Sequence, residues 1–335
     1  MFREAAEAPA VVAAQLAANA PRVQRLTARL RQSPPRAVVT CARGSSDHAA
    51  TFGRYLIETR LGLLTSSAAP SVSSVYAAAP DLAGTALLAI SQSGASPDLI
   101  ATVTSARAAG ARIIALVNAE SSPLAQLADD VLPLHAGPER SVAATKSHLA
   151  SLAALVQLVA AWGDDAELGA ALLNVPDLMA RAWQLDWSPL VGRLAAASSL
   201  YVIGRGPGLA TAQEAALKFK ETGALHAEAL SAAELRHGPM ALVHPGFPLL
   251  LFAQNDESRA GIETLAADLV AQGADVLLAG AAVAGATQLP TLPAHAVLEP
   301  LLLTQSLYRA ANALALARGA DPDRPPHLRK VTETV

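Results

Sequence analysis

Residues 38–50 read V-V-T-C-A-R-G-S-S-D-H-A-A, and residues 201–212 read Y-V-I-G-R-G-P-G-L-A-T-A. Each opens on a short apolar run, turns through glycine and continues into a stretch with helical spacing. A strand, a glycine turn and then a helix form the start of a βαβ unit, since parallel strands need a crossover of a dozen residues or more. Outward from the first stretch, 36–41 (R-A-V-V-T-C), 85–90 (T-A-L-L-A-I) and 112–117 (R-I-I-A-L-V) read as strands. One helix follows through residue 60. Another runs from 97 to 109, with Pro97 in its first turn, Ser96 as N-cap and Gly110 just past its end. Outward from the second stretch, 200–203, 248–253 and 275–278 read as strands, and 209–222 and 261–272 as helices. Sliding the first half by about 160 residues lays strand on strand and turn on turn, the mark of a tandem duplication and not of a short-period solenoid. The expected fold class is α/β: two tandem subdomains, each a parallel β-sheet flanked by helices. Residues 141–162 read as one long Ala/Leu-rich helix, and the polar, Pro-containing patch 163–189 as the junction.

Composition narrows the function classes. The chain has 335 residues, 52% of them apolar, enough to bury a core and too many for a disordered chain. A formal net charge of −3 creates no field for polyanions, and 4% aromatics provide no base-stacking platform, so no nucleic-acid partner is expected. No apolar run reaches the roughly 18 residues of a bilayer span. The longest candidate, 149–162, carries Ser151 and Gln157, so no membrane partner is expected either. The start M-F-R-E-A-A-E lacks the layout of an export signal, and the single cysteine, Cys41, has no internal disulfide partner. The expected location is cytoplasmic.

Two strand-to-helix turns in the first half are rich in serine and glycine: Gly44-Ser45-Ser46 and Ser91-Gln92-Ser93-Gly94-Ala95-Ser96. In an open parallel sheet, ligands bind beyond the carboxyl ends of the strands, where helix N-termini present unpaired N–H groups to an anion. Such loops also arise simply as turns and caps, but two of them after adjacent strands point to a phosphate cradle built without metal or lysine. The second half carries Gln254-Asn255-Asp256-Glu257 instead, so only the first half is expected to receive an anion. Gly204, Gly206 and Gly208 miss the G-x-G-x-x-G spacing of a dinucleotide site, and G-x-S-x-G and H-E-x-x-H are both absent. Glu214, Lys218 and Glu221 stand at i, i+4 and i+7, on one face of a helix that begins at the mouth of the second sheet. That row reads equally as a solvated ion-pair ladder or as a proton carrier with its charge partner. His237, before Gly238-Pro239, is a candidate acid/base on a sharp turn.

Six strings in order carry a resemblance: C-A-R-G-S-S (41–46), S-Q-S-G-A-S (91–96), E-R-S-V-A-A-T-K (139–146), E-A-A-L-K-F-K-E (214–221), E-L-R-H-G-P (234–239) and L-R-K-V-T (328–332). The chain resembles the sugar-isomerase (SIS) family. Over nearly its whole length it is similar to the isomerase half of glucosamine-6-phosphate synthase. The resemblance implies a flavodoxin-like three-layer αβα fold with a helical segment 1–25, subdomains 26–165 and 190–322, and a tail 323–335 over the active site. It implies that Ser45, Ser46, Ser91, Gln92, Ser93 and Ser96 hold a sugar phosphate and that Val142 makes a backbone contact to the sugar. Glu221 would move a proton between C1 and C2. His237 would open the ring from the neighbouring subunit of a homodimer. Glu214 and Lys218 would support the intermediate, and Lys330 would meet the open-chain sugar. Neither metal nor organic cofactor is implied. Residues 1–19 already resemble the start of the isomerase half, so a glutaminase domain is not expected. Ala144 stands where the synthase has serine, and Arg43 where its turn is smaller. These departures resemble the stand-alone glucosamine-6-phosphate deaminases of the family, which give fructose 6-phosphate and ammonia by ring opening, proton transfer and ketimine hydrolysis. A fructosamine-6-phosphate deglycase, a galactosamine-6-phosphate deaminase and a non-catalytic sugar-phosphate sensor are the alternatives.

Overall fold

The computed structural model describes residues 1–78 and 80–330; positions 79 and 331–335, including the last two residues of the 328–332 string and the end of the expected tail, lie outside the described residues. The chain divides into two compact units. The first comprises Ala10–Glu139 and Lys146–Leu173 together with Arg329 and Lys330; the second comprises Met1–Pro9, Arg140–Thr145 and Asn174–Leu328.

The chain opens with helix α1 (Phe2–Gln32). Val12, Leu16, Val23, Leu26 and Leu30 recur on one buried stripe of this alanine-rich helix. Then follow β1 (Val38–Cys41), α2 (Ser45–Leu61), β2 (Thr65–Ser67), α3 (Ser71–Ser74), β3 (Ala86–Ser91), α4 (Pro97–Ala108), β4 (Arg112–Val117), α5 (Pro123–Leu127), β5 (Asp130–Pro133) and α6 (Lys146–Trp162). The five strands form one parallel sheet in the order β2-β1-β3-β4-β5. Its central strand β3 is buried at all six positions, as a strand covered on both faces must be. The chain leaves β1 toward β2 and returns as β3 on the other side, so the switch point lies between β1 and β3.

The remaining elements are α7 (Ala166–Leu173), α8 (Val175–Ala182), α9 (Ser188–Leu194), β6 (Ser199–Gly204), α10 (Gly208–Gly223), β7 (His226–Ser231), β8 (Pro248–Phe252), α11 (Arg259–Ala271), β9 (Asp275–Ala279), β10 (Thr287–Leu289) and α12 (Glu299–Ala317). The second sheet runs β10-β9-β8-β6-β7, the same order in its own numbering, and is also wholly parallel. Its switch point falls between β6 and β8. Val39 pairs with Leu87 in the first sheet, and Tyr201 with Leu249 in the second; both residues lie 162 positions further on. Gly44 and Gly206, 162 positions apart, both take left-handed backbone, with φ of +54° and +55°. The duplication therefore holds in register and in turn geometry.

One stretch differs from the sequence reading. The helix expected over 141–162 begins only at Lys146. Residues Arg140–Thr145 are irregular, held in the second unit in part by Glu4, whose carboxylate accepts the Ser141 N–H at 3.2 Å. The patch 163–189 holds α7, α8 and the start of α9, and the boundary between the two units, at Leu173/Asn174, falls inside it. Pro176 and Pro189 act as first-turn residues and not as breakers, because a helix start needs no N–H there.

Candidate active site

In the first unit the two serine-rich loops follow β1 and β3, which are hydrogen-bonded neighbours on either side of the switch point. Gly44 makes the turn and Ser45 and Ser46 open α2, Ser45 buried and Ser46 half-buried. Ser91 ends β3, and its Oγ accepts the Gly94 N–H at 2.9 Å, folding the loop back on itself. Gly94 has φ +62°, and a Cβ there would lie 2.2 Å from Ser122 Oγ, so no side chain fits. Gln92 and Ser93 are half-buried, and Ser96 caps α4 by position while its hydroxyl makes no capping bond to the helix. Arg43 links the two loops. Its Nε and Nη2 donate to Oδ2 of Asp98 on the first turn of α4, at 2.8 and 2.6 Å, and Asp98 is only 2% exposed. The Cys41 thiol at the end of β1 is pushed up to about 12 by burial and by Asp98, which leaves it protonated and unreactive at neutral pH.

The second unit shows what such a loop does when an anion is built in. In register with Gln92, Gly94 and Ser96 stand Gln254, Asp256 and Ser258, each 162 positions on. The Asp256 carboxylate accepts from Ser258 N–H at 2.9 Å, from Ser258 Oγ at 2.5 Å and from Gln254 Nε2 at 2.8 Å. The same Gln254 amide donates to the Arg205 carbonyl at 2.9 Å. A Cβ on Gly208 would come within 2.2 Å of Gln254 Oε1. The space above the N-terminus of α10 is thus taken by a side chain that leaves no room for a Cβ at Gly208, while at Gly204 a Cβ would meet the Gly208 backbone at 2.3 Å.

Helix α10 starts from that turn and carries the charged row. Lys218 is 0% exposed and lies 3.2 Å from Oε1 of Glu214, itself 0% exposed. Lys218 Nζ donates to Glu221 Oε2 at 2.6 Å, and Glu221 is 20% exposed. The Tyr308 hydroxyl of α12 donates to Glu214 Oε1 at 2.8 Å. A solvated ladder is excluded, because two of the three groups are sealed from water. Burial alone would lower the Lys218 pKa, but the carboxylates of Glu214 and Glu221 outweigh it and hold the ammonium above its ordinary range. The row therefore places one reachable carboxylate at the end of a buried charge chain. His237 ends a short 3-10 turn, Glu234–His237, on the exposed surface. Among the described residues no hydrogen bond or ion pair joins it to Glu221. Val142 lies half-buried in the irregular segment Arg140–Thr145. Lys330, in the first unit, donates from Nζ to Glu139 Oε2 at 3.1 Å.

Glu139 lies within the E-R-S-V-A-A-T-K string with no local signal of a task, and Tyr308 stands in no motif. Their partners are 191 and 94 residues away, so no local pattern could name them. Among the described residues no group of three or more His, Cys, Asp or Glu could hold a metal ion, and no helix is long and apolar enough to cross a membrane.

The family model for the SIS domain matches residues 32–161 and 193–280. The isomerizing glutamine–fructose-6-phosphate aminotransferase of Aeropyrum pernix is 36% identical over 307 residues, covering 86% of this chain and 49% of that protein. The chain thus spans about half the length of the curated relatives it matches. A solved structure from Silicibacter pomeroyi DSS-3, described as a phosphosugar isomerase, is 44% identical at a TM-score of 0.92, over 96% of this chain and 99% of that one. The C-terminal domain of glucosamine-fructose-6-phosphate aminotransferase from Francisella tularensis has a TM-score of 0.88 at 24% identity, over 97% and 98% of the two chains, a likeness of fold.

Proposed function

The chain belongs to the SIS domain family, and from that premise we propose that it is a phosphosugar isomerase acting on an amino-sugar 6-phosphate, glucosamine 6-phosphate in the first place, which it converts to fructose 6-phosphate and ammonia. The observation that carries the reading is the reachable Glu221 carboxylate bonded to the sealed Lys218 ammonium. Such a pair aims a carboxylate while leaving one face of it open to a ligand. The relatives supply the substrate class. Aminotransferases that isomerise a hexose 6-phosphate are similar to this chain, and a 44% identical chain matched over 99% of its length is described as a phosphosugar isomerase.

In this reading the first subdomain anchors and the second reacts. The phosphate sits on Ser45, Ser46, Ser91, Gln92, Ser93 and Ser96, and its binding energy positions C1 and C2 of the sugar. The second copy supports that assignment, since the counterparts of Gln92 and Ser96 already hold the carboxylate of Asp256. His237, supplied by a second copy of the chain in a homodimer, assists ring opening. Glu221 takes the proton from C2 and returns it to C1, so that the enolamine becomes a ketimine at C2. Lys218, with Glu214 behind it, and Lys330 offset the charge that develops on oxygen and nitrogen. Water adds to the ketimine carbon, and ammonia leaves. Val142 contributes a backbone contact to the sugar. The sequence of steps needs neither metal nor organic cofactor.

The test is a panel of glucosamine, galactosamine and fructosamine 6-phosphates, scored for ammonia and for ketose product. Ammonia with fructose 6-phosphate from the first compound is the expected result. Turnover of the third alone moves the activity to a deglycase, and binding of all three without turnover leaves a sensor. For the anchor, Gln92→Ala is expected to raise KM about 10- to 100-fold and change kcat little. A hydrogen bond to a charged group contributes about 1.5–3 kcal/mol, and this one is made equally in ground and transition states. An unchanged KM counts against the cradle.

A further inference from the structure

The mechanism above leaves one buried carboxylate without a task. The side chain of Glu139 is 0% exposed, and an ionised carboxylate in that position needs partners. Its Oε1 accepts the Ser147 N–H at 3.2 Å, its Oε2 accepts the Ser147 hydroxyl at 2.7 Å, and Lys330 Nζ donates to the same Oε2 at 3.1 Å. Ser147 lies in the first turn of α6, where N–H groups lack helical acceptors and favour negative charge. The next residue, His148, donates from Nδ1 to the carbonyl of Ser45 at 2.8 Å. One helix turn therefore holds both the carboxylate that receives Lys330 and the backbone of the loop assigned to the phosphate.

After α12 ends at Ala317 no further helix or strand forms among the described residues. A long side chain on such a segment samples many rotamers, and a fixed position for its ammonium has to be imposed by a partner. We infer that Glu139 is a positioning residue for Lys330: through the first turn of α6 it sets the place of that ammonium relative to the phosphate loop of the same unit. This rests on the role proposed above for Lys330. The inference also gives the glutamate of E-R-S-V-A-A-T-K a physical task that the spacing of the motif does not reveal.

The experiment uses the full chain and four variants: Glu139→Gln, Glu139→Asp, Lys330→Met and the double Glu139→Gln/Lys330→Met. Lysine acetylation by an activated ester is followed residue by residue in peptide mass spectra, with exposed Lys220 as internal reference. Native Lys330 is expected to label about tenfold or more slowly than Lys220, as loss of one charge-assisted bond shifts an equilibrium by at least that factor. Glu139→Gln brings its rate close to the reference, and Glu139→Asp stays near native. In turnover, Glu139→Gln loses about 10- to 100-fold in kcat with the inhibition constant of inorganic phosphate unchanged. The double variant is no slower than Lys330→Met, since both changes remove one unit. Native labelling of Lys330 at the Lys220 rate, or losses that multiply in the double variant, overturns the inference. Should Glu139→Gln fail to fold, the native rate and Glu139→Asp carry the test. Full turnover by Lys330→Met would remove that lysine from the proposed mechanism, while the labelling contrast still reports on the pair.

Discussion

Glu221→Gln is expected to cut kcat by a factor between about 10² and 10⁴, the span that one positioned acid–base group contributes. Binding of substrate and of phosphate should stay within a few-fold of native. The amide keeps the shape of the carboxylate and an oxygen that can accept from Lys218 Nζ, now 2.6 Å away. Glu214 still neutralises Lys218 at 3.2 Å, so the buried ammonium is not stranded. What the variant lacks is a site for the C2 proton. A loss seen in kcat and in kcat/KM alike, with KM unmoved, is the signature of an interaction made only in the transition state. Proton exchange offers a second readout: deuterium from solvent should enter C1 of the product in the native reaction and do so far more slowly in the variant. Native turnover by Glu221→Gln, with unfolding excluded by an unchanged melting curve, would take the proton carrier out of the scheme.

Much of this site could be read before the structure. Glu214, Lys218 and Glu221 follow the helical repeat, and a repeat of 3.6 residues is a local property that sequence reports well. The two serine-rich loops were equally visible, since strand, turn and helix are contiguous there. Burial was not visible. The i, i+4, i+7 row fits a wet helix face as well as a dry one, and the elements that cover it, α12 with its Tyr308 bonded to Glu214 at 2.8 Å among them, are remote in sequence. Short edge strands also escaped. β2 and β10 have three residues each, too few for a pattern to repeat. The asymmetry between the halves was legible as composition, glycine against aspartate at positions 94 and 256, but its cause was not. In the structure the aspartate carboxylate is held by Gln254 and Ser258, the residue types that stand at 92 and 96 in the other copy. Pro176 and Pro189 stand in the expected junction and each lies in the first turn of a helix, because the residue type fixes φ and does not say which side of it folds.

Lys218→Met is expected to be the most destabilising change in the second unit, by about 3–5 kcal/mol, because it leaves the sealed Glu214 carboxylate without its counter-charge. For a unit of this size that corresponds to a drop in Tm of roughly 6–20 °C. Chemical denaturation should show the same loss with an unchanged m-value. The pH dependence has a definite sign. The folded Lys218 pKa is raised by Glu214 and Glu221 against the opposing effect of burial. Its contribution is therefore complete at neutral pH and below about 10.4, the unfolded value, and is lost as pH climbs through the folded one. The native protein should lose stability in strong alkali more steeply than Lys218→Met does. The decisive variant is the double Glu214→Leu/Lys218→Met, which replaces the sealed pair by apolar groups of similar volume. Such replacements are often neutral or stabilising, so the double variant should recover most of the stability that the single one loses. It should not recover turnover, since Glu221 would then face no ammonium. If stability and activity returned together, the pair would be a packing device. If stability returned alone, the charge chain is kept at the expense of a firmer core, and the reason for keeping it lies in the carboxylate at its open end.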